Sequence, residues 1–513
     1  MTATGGMAAV TLLSRFTGLL RDKTATALLG AGMVTDAFYT AFRIPNMFRQ
    51  FLAEGALHAA FIPTLAELRA SGDDERTRAF VRGMTTILLV ALPVIVGLGV
   101  LAAPSLATVF AARFAENPEK MALTVRLTRI MFPYLGLISL AALAQGVLNA
   151  SGRFLLPAAT PIALNLLMAG GTVATVLIFH GEPMWMAVGV LAGGLAQFSM
   201  QWAACARVGL PLLPGRGAFS NRDVMRVLAK MVPTITTLGI YPLTVLLSTR
   251  FASEVGEGAV TCMFNASRLN EMMYGMVIVQ LTTAVLPMLA AERLQSEQSA
   301  RDSLGFAVRL LSVVSLPSTA LSIALATAMT GALLGGGRYG LDAVHTTSSA
   351  LVVYSLGMPF LALTKLLASA SFAWNDTRSP VIASIVNLVV FFALGVTLTA
   401  PFGVRGVAAA TSAGQVANAF TLLWLDGRHG RLPRIGDVLP AIVRHLGAAI
   451  AAGAVVFLLD HVRPVPLATS VRSLVLLGVY GGVGAAVYLA ALVALRAPEW
   501  HELRAVIARR RRR

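Results

Sequence analysis

The chain has 513 residues, of which 56% are hydrophobic and only 13% charged, and its mean hydropathy is +0.74. Soluble globular domains carry roughly 25% charged residues, so this composition excludes that class and defines an integral membrane protein. The net charge of +17 would point to nucleic acid in a soluble protein; here its position along the chain explains it better, and no nucleic-acid partner is expected.

Apolar runs of about twenty residues recur from end to end, each long enough to cross a hydrocarbon core of roughly 30 Å as a helix. They predict about fourteen spans, at 5–30, 34–63, 80–112, 121–149, 156–179, 185–206, 228–250, 257–290, 303–334, 342–373, 379–400, 404–425, 440–460 and 468–495. No secretory signal is expected at the start, because MTATGG lacks a basic region and Arg15 interrupts the first apolar run. Positive residues in short loops are retained in the cytoplasm, and one set of alternate loops holds roughly twenty-five Lys and Arg against about seven in the other. Both termini are therefore expected to be cytoplasmic. The C-terminal EWHELRAVIARRRRR reads either as a positive-inside stop or as an interfacial helix on anionic lipid.

The first two segments break the apolar pattern. In SRFTGLLRDK, a helix ending at Arg21 would have only about fourteen apolar residues before it, fewer than the roughly seventeen a span needs. The span must run on through ATALLG, which places Arg15, Arg21 and Asp22 inside it, with Gly18 allowing close backbone approach. The second segment carries Asp36, Arg43, Arg49 and Glu54. A mid-membrane charge costs about 2.5–3.5 kcal/mol, so these four cannot face lipid. At 1.5 Å per residue Arg43 lies about 10 Å from Asp36 along the axis and Glu54 about 27 Å. Pro45 is placed to bend the helix between Arg43 and Arg49.

In the eighth segment, NASRLNEMMYG puts Arg268 and Glu271 at i, i+3 on one face. Five arginines (15, 21, 43, 49 and 268) against four acids (22, 36, 54 and 271) leave room for an anion. A guanidinium binds phosphate oxygens bidentately and stays charged, so a cluster lining a wet cavity suits a diphosphate. The alternative is internal pairing: Arg15 or Arg21 with Asp22, Arg43 with Asp36, Arg268 with Glu271. Arg126 and Arg129 read equally as cavity residues or as residues near the outer end of their helix.

A weak internal repeat sets AFYTAFRI (37–44) over CMFNASRL (262–269) and AFIPTLAE (60–67) over AVLPMLAA (284–291). It implies a parallel six-helix unit, with the last two helices as an appendix. Cys205 and Cys262 read as packing residues rather than disulfide or metal ligands. There is no GxxxxGK[ST] and no HExxH, and the seven histidines are scattered, so neither nucleotide hydrolysis nor catalytic zinc is expected. The chain reads as a transporter and not an enzyme.

SRFTGLLRD, DAFYTAFRIPNMFRQFLAEGALHAAFIP and ASRLNEMMYG resemble the MurJ/MviN lipid II flippases of the MOP transporter superfamily, most densely over residues 8–70. The resemblance implies an all-α membrane protein of two six-helix lobes, 1–212 and 213–430, related by a pseudo-twofold axis along the membrane normal. Helices 13 and 14 (431–497) would hold the undecaprenyl chain, and 498–513 would form a basic cytoplasmic tail. It carries the family's substrate positions onto Arg15, Arg21, Asp22, Asp36, Arg49, Glu54 and Arg268, with Ser14, Gly18, Arg43, Asn46 and Glu271 in support.

The implied substrate is lipid II, flipped by alternating access in the bacterial cytoplasmic (inner) membrane among bilayer phospholipids, with cell-wall synthesis and division machinery as further partners. No cofactor is implied, and the drive would be the membrane potential or a coupling ion. The acids of a sodium site proposed for some relatives are not matched here, where the eleventh segment offers Asn387 and the only acid is Asp426 at the edge of the twelfth. A multidrug or oligosaccharide-lipid exporter of the same superfamily is the alternative reading.

Overall fold

The structure, a computed structural model, describes residues 2–50, 57–238, 240–275, 288–289, 291–294 and 296–495. The described residues are almost wholly helical, with no β-strand and a single isolated bridge between Gly336 and Tyr339. In its described residues, each of the fourteen predicted segments falls largely on helix. Eight spans are long and apolar enough to cross a membrane on composition alone: 74–101, 118–150, 155–177, 297–324, 341–373, 378–402, 435–462 and 471–494. The protein is thus a multi-pass membrane protein. The charged first segment falls outside those eight by composition, and the second and eighth because their described helices, Met33–Arg49 and Ala259–Gly275, are 17 residues long.

In the first half, α1 is Thr2–Leu29, α2 Met33–Arg49, α3 His58–Ala70, α4 Asp74–Leu101, α5 Ala103–Phe110, α6 Pro118–Met131 and α7 Tyr134–Ala150. These are followed by α8 Leu155–Leu177, α9 Met184–Arg207, α10 Arg222–Leu238, α11 Ile240–Val255 and α12 Ala259–Gly275. The second half contains α13 Glu297–Ala324, α14 Ala326–Leu334, α15 Leu341–Ala373, α16 Arg378–Phe402, α17 Val404–Arg428, α18 Ile435–Val462 and α19 Val471–Ala494.

Several predicted spans are divided, and the divisions have local causes. The 121–149 span breaks at Phe132–Pro133, because a proline supplies no N–H to the preceding turn. The 80–112 span begins earlier, where the Asp73 carboxylate accepts from Arg76 N at 2.9 Å with Asp74 and Glu75 in the first turn, and it breaks at Ala102 before Pro104. The predicted 34–63 helix is described as α2, ending at Arg49 with a wider turn at Gln50, and as α3 from His58, while 51–56 lie outside the described residues. Asn117 caps α6 ahead of Pro118, and Ser296 and Ser470 cap α13 and α19.

The chain divides into two compact units, 1–261 and 262–513, with the boundary inside the first turn of α12. In the first, α8 packs on both α1 and α9, α7 on α9, and α2 on α6. The α8–α9 crossing is close because a Cβ on Gly171 would sit 2.6 Å from the Trp185 carbonyl oxygen, and one on Gly189 2.7 Å from that of Leu167. The core of this unit gathers Phe61, Phe80, Met84, Leu143, Val147 and Val227 from α3, α4, α7 and α10. In the second unit α16 packs on α17, α17 on α15, α13 on α15 and α18, and α18 on α19.

Candidate functional site

The charges of α1 lie against α8. Arg21 is buried, 8% exposed, and donates to Asp22 Oδ1 from Nε at 2.9 Å and Nη2 at 2.7 Å, and to Asn165 Oδ1 from Nη1 at 3.1 Å. The Asn165 amide donates in turn to the Ser14 carbonyl at 3.2 Å and to Thr17 Oγ1 at 3.3 Å. Four of the predicted positions, Ser14, Gly18, Arg21 and Asp22, therefore share one helix–helix seam, with Gly18 buried on it and Arg15 half-buried beside it. Of the two pairings open to Asp22, the one with Arg21 forms. Asn165 was not singled out from sequence, yet an amide inside PIALNLLMAG is a polar interruption of an apolar helix and could have been found by the same test as the arginines.

Asp36 is fully buried and accepts four hydrogen bonds: from Gly258 N at 2.8 Å, Thr261 N at 2.9 Å, Thr261 Oγ1 at 2.7 Å and Lys120 Nζ at 2.8 Å. Gly258 and Thr261 are the residue before α12 and the third residue in it, so a carboxylate from α2 caps the start of α12. The arrangement is reciprocal. Glu257 Oε1 accepts from Met33 N at 3.0 Å, so a carboxylate just ahead of α12 serves the N-terminus of α2. Gly258 adopts φ +78, and a Cβ there would meet the Ala31 carbonyl oxygen at 2.8 Å, which only glycine avoids.

These contacts correct one expectation. Arg43 and Asp36, two turns apart, do not pair: the carboxylate is taken by Lys120 and α12, and Arg43 Nη1 donates to Thr249 Oγ1 of α11 at 2.5 Å. Two turns of helix bring residues to one face, but Asp36, in the first turn of α2, is nearer the starts of α6 and α12. Lys120 was missed. Its signal was faint, a cation in the first turn of a helix, where the macrodipole is unfavourable and another partner is needed.

Arg49, half-buried at the end of α2, donates from Nε to Asn46 Oδ1 at 2.8 Å. Glu54 lies outside the described residues. In the second unit Arg268 and Glu271 lie 3.4 Å apart at i, i+3, as their spacing predicts, with side chains 40% and 51% exposed. Arg126 pairs loosely with Glu182 at 3.8 Å, both well exposed. Asn387 is buried in α16, and Asp426, at the end of α17, is 3.2 Å from Arg431. No group of three or more His, Cys, Asp or Glu residues that could hold a metal occurs among the described residues.

All-helical in its described residues and multi-pass, with charges buried on its first two helices, the chain belongs to the class of polytopic membrane proteins that keep charge inside the membrane region. Comparison with known proteins narrows the class. A family model described as lipid II flippase MurJ matches residues 25–477. The chain is 33% identical to the lipid II flippase MurJ of Burkholderia cenocepacia over 86% of both chains. It is 32% identical to the probable lipid II flippase MurJ of Rhizobium meliloti, covering 91% of this chain and 89% of that one.

Among solved structures, a lipid II flippase MurJ in an inward closed conformation superposes with a TM-score of 0.80 at 22% identity, covering 96% and 98% of the two chains. A multidrug resistance MATE family transporter of the MOP superfamily, inward-facing, gives 0.65 at 14% identity, covering 82% and 98%. The chain belongs to the MurJ family of lipid II flippases, and its fold is shared with the MATE transporters of the MOP superfamily.

Proposed function

We propose that the protein moves lipid II, the undecaprenyl-diphosphate-linked disaccharide-pentapeptide, from the cytoplasmic to the periplasmic leaflet of the bacterial inner membrane by alternating access. The observation that carries this reading is the match to the family along nearly the whole chain, combined with buried or half-buried charges at the family's positions on α1 and α2. Guanidinium groups at Arg15, Arg21, Arg49 and Arg268 engage the pyrophosphate, whose paired oxygens match the planar fork of arginine. Arg21 reaches this role already oriented by Asp22 and Asn165, whereas Arg268, its side chain 40% exposed, lies 3.4 Å from Glu271 at i, i+3 and is open to solvent and to an incoming phosphate.

The lobes of this reading are 1–212 and 213–430, a division by repeat rather than by packing. Helices α18 and α19 serve the lipid tail; they expose Leu439, Val443, Ile450 and Phe457 on one and Val475 and Val479 on the other, an apolar surface suited to an isoprenoid chain among phospholipids. Both termini are cytoplasmic, following the charge of the loops. The drive is the membrane potential or a coupling ion; moving one charge through the field is worth about 2.3 kcal/mol per 100 mV. Cell-wall synthesis and division machinery are the expected neighbours.

Depletion of the protein should leave lipid II on the cytoplasmic face, and a plasmid-borne Arg268→Ala variant should accumulate normally in the membrane and fail to restore translocation. An exporter of drugs or other lipid-linked sugars would instead leave lipid II distribution unchanged on depletion.

A further inference from the structure

Lys120 has no role in the function proposed above, yet it is one of the most tightly held cations in the molecule. Its side chain is buried, 6% exposed as a residue, with Nζ 2.8 Å from Asp36 Oδ2 and 4.1 Å from the centroid of the Phe114 ring. It starts from a rigid base: Asn117 caps the helix through Lys120 N, Pro118 opens it, and Phe114 is itself buried. The same segment grips the end of α11. Arg113 donates to the Glu254 carbonyl, and Arg250 donates to the carbonyls of Thr108 at 3.3 Å and Val109 at 3.4 Å.

We infer that Lys120 is a positioning residue that acts through Asp36, holding that carboxylate in place and aimed at the N-terminus of α12, and so governs how readily the mutually capped starts of α2 and α12 come apart. The physical reason is that a carboxylate with no exposure, accepting from two backbone N–H groups and a hydroxyl, needs a counter-charge to remain charged out of water. The partial positive end of α12 supplies part of it, and Lys120 supplies a full unit. Without Lys120 the carboxylate gains by turning toward water, which weakens the bonds to Gly258 and Thr261. The residues concerned lie at the turns that join α1 to α2 and α11 to α12, so a transport cycle that separates these turns would break those bonds. That last step rests on the proposed alternating access; the coupling of Lys120 to α12 does not.

The native thiol of Cys262, buried at 3% exposure one residue beyond Thr261, reports on the start of α12. In a Cys205→Ala background, the purified full-length protein is treated with a water-soluble maleimide and labelling at Cys262 is followed by mass spectrometry. Lys120→Met and Asp36→Asn should each accelerate labelling about tenfold or more, since removing one partner of a buried pair leaves the other uncompensated. Lys120→Arg should stay within about twofold of the native rate, because the charge is kept. The Asp36→Asn, Lys120→Met double variant should label no faster than the faster single variant, as expected of residues acting through one contact.

The inference is overturned if Lys120→Met labels at the native rate while Asp36→Asn is fast, if Lys120→Arg is as fast as Lys120→Met, or if the two single effects multiply in the double variant. A protein that shows the predicted labelling but does not move lipid II would contradict the proposed function and leave the coupling standing.

Discussion

The first two helices and the last two treat the membrane in opposite ways. In α1 and α2 the charged side chains Arg21, Asp22, Asp36 and Arg43 are buried inside the protein. In α18 and α19 large apolar side chains are exposed, among them Val462 at 82% and Val471 at 80%. The difference shows what each pair is for in physical terms. A helix that offers only apolar surface to lipid needs no partner for it, while a helix carrying charge is stable only where other segments supply hydrogen bonds, as Asn165 does for Arg21 and Lys120 for Asp36. Charge that is so costly to keep is the part of the chain where function is to be sought.

Substitutions that exchange these characters should break the comparison, and the largest effect is expected inside the α1 seam. Asp22→Leu strips Arg21 of its carboxylate partner and should lower stability by about 3–5 kcal/mol, seen as a fall in the unfolding temperature of the detergent-solubilised protein. If the loss is under about 1 kcal/mol, the seam is wetter than its burial implies. A reverse exchange comes next: Val479→Arg on the exposed face of α19 should cost about 2.5–3.5 kcal/mol in insertion, measured as the fraction of α19 that integrates, whereas Val479→Leu should be silent.

A smaller effect is expected outside the membrane spans, at the turn between α15 and α16. Burial alone would raise the Asp376 carboxyl, but Arg431 Nη1 at 2.7 Å, the Ser379 hydroxyl at 2.7 Å and the backbone N–H groups of Ser379 and Arg378 hold it well below the usual carboxylate range. A depressed carboxyl contributes stability that is complete above its unfolded value, about 3.9, and is lost as the pH falls below that toward the native value. Asp376→Asn should therefore cost about 1.5–3 kcal/mol at neutral pH and remove that acid-side dependence, read from unfolding temperatures at several pH values. The smallest change is expected where lipid already covers the side chain: Phe457→Leu, 59% exposed, should stay within about 0.5 kcal/mol.

Much of the fold is legible in the sequence because hydropathy and loop charge act locally. In their described residues the fourteen segments fall largely on helix, and the Arg268–Glu271 pair follows from helical spacing alone. The breaks at Pro133 and Ala102 are less legible, since a proline in an apolar run reads equally as a kink within one span. Beyond the local pairs Arg21–Asp22 and Arg268–Glu271, the candidate site is legible on only one side of each contact. Arg21 and Asp36 announce themselves as charges in lipid, while their partners Asn165, Lys120, Thr261 and Gly258 lie 84 to 225 residues away and are chosen by packing. No spacing rule reaches that far, so helical spacing offers Asp36 only Arg43 as an internal partner and not Lys120.

The central claim, that intramembrane arginines serve the transported anion, is tested most directly at the residue whose loss should disturb the fold least. The Arg268 side chain is 40% exposed, so Arg268→Ala should leave the unfolding temperature within a few degrees of the native protein. In proteoliposomes loaded with lipid II, that variant should lose nearly all translocation while the Phe457→Leu protein retains it. Translocation by Arg268→Ala at the native rate, with the protein intact, would contradict the claim.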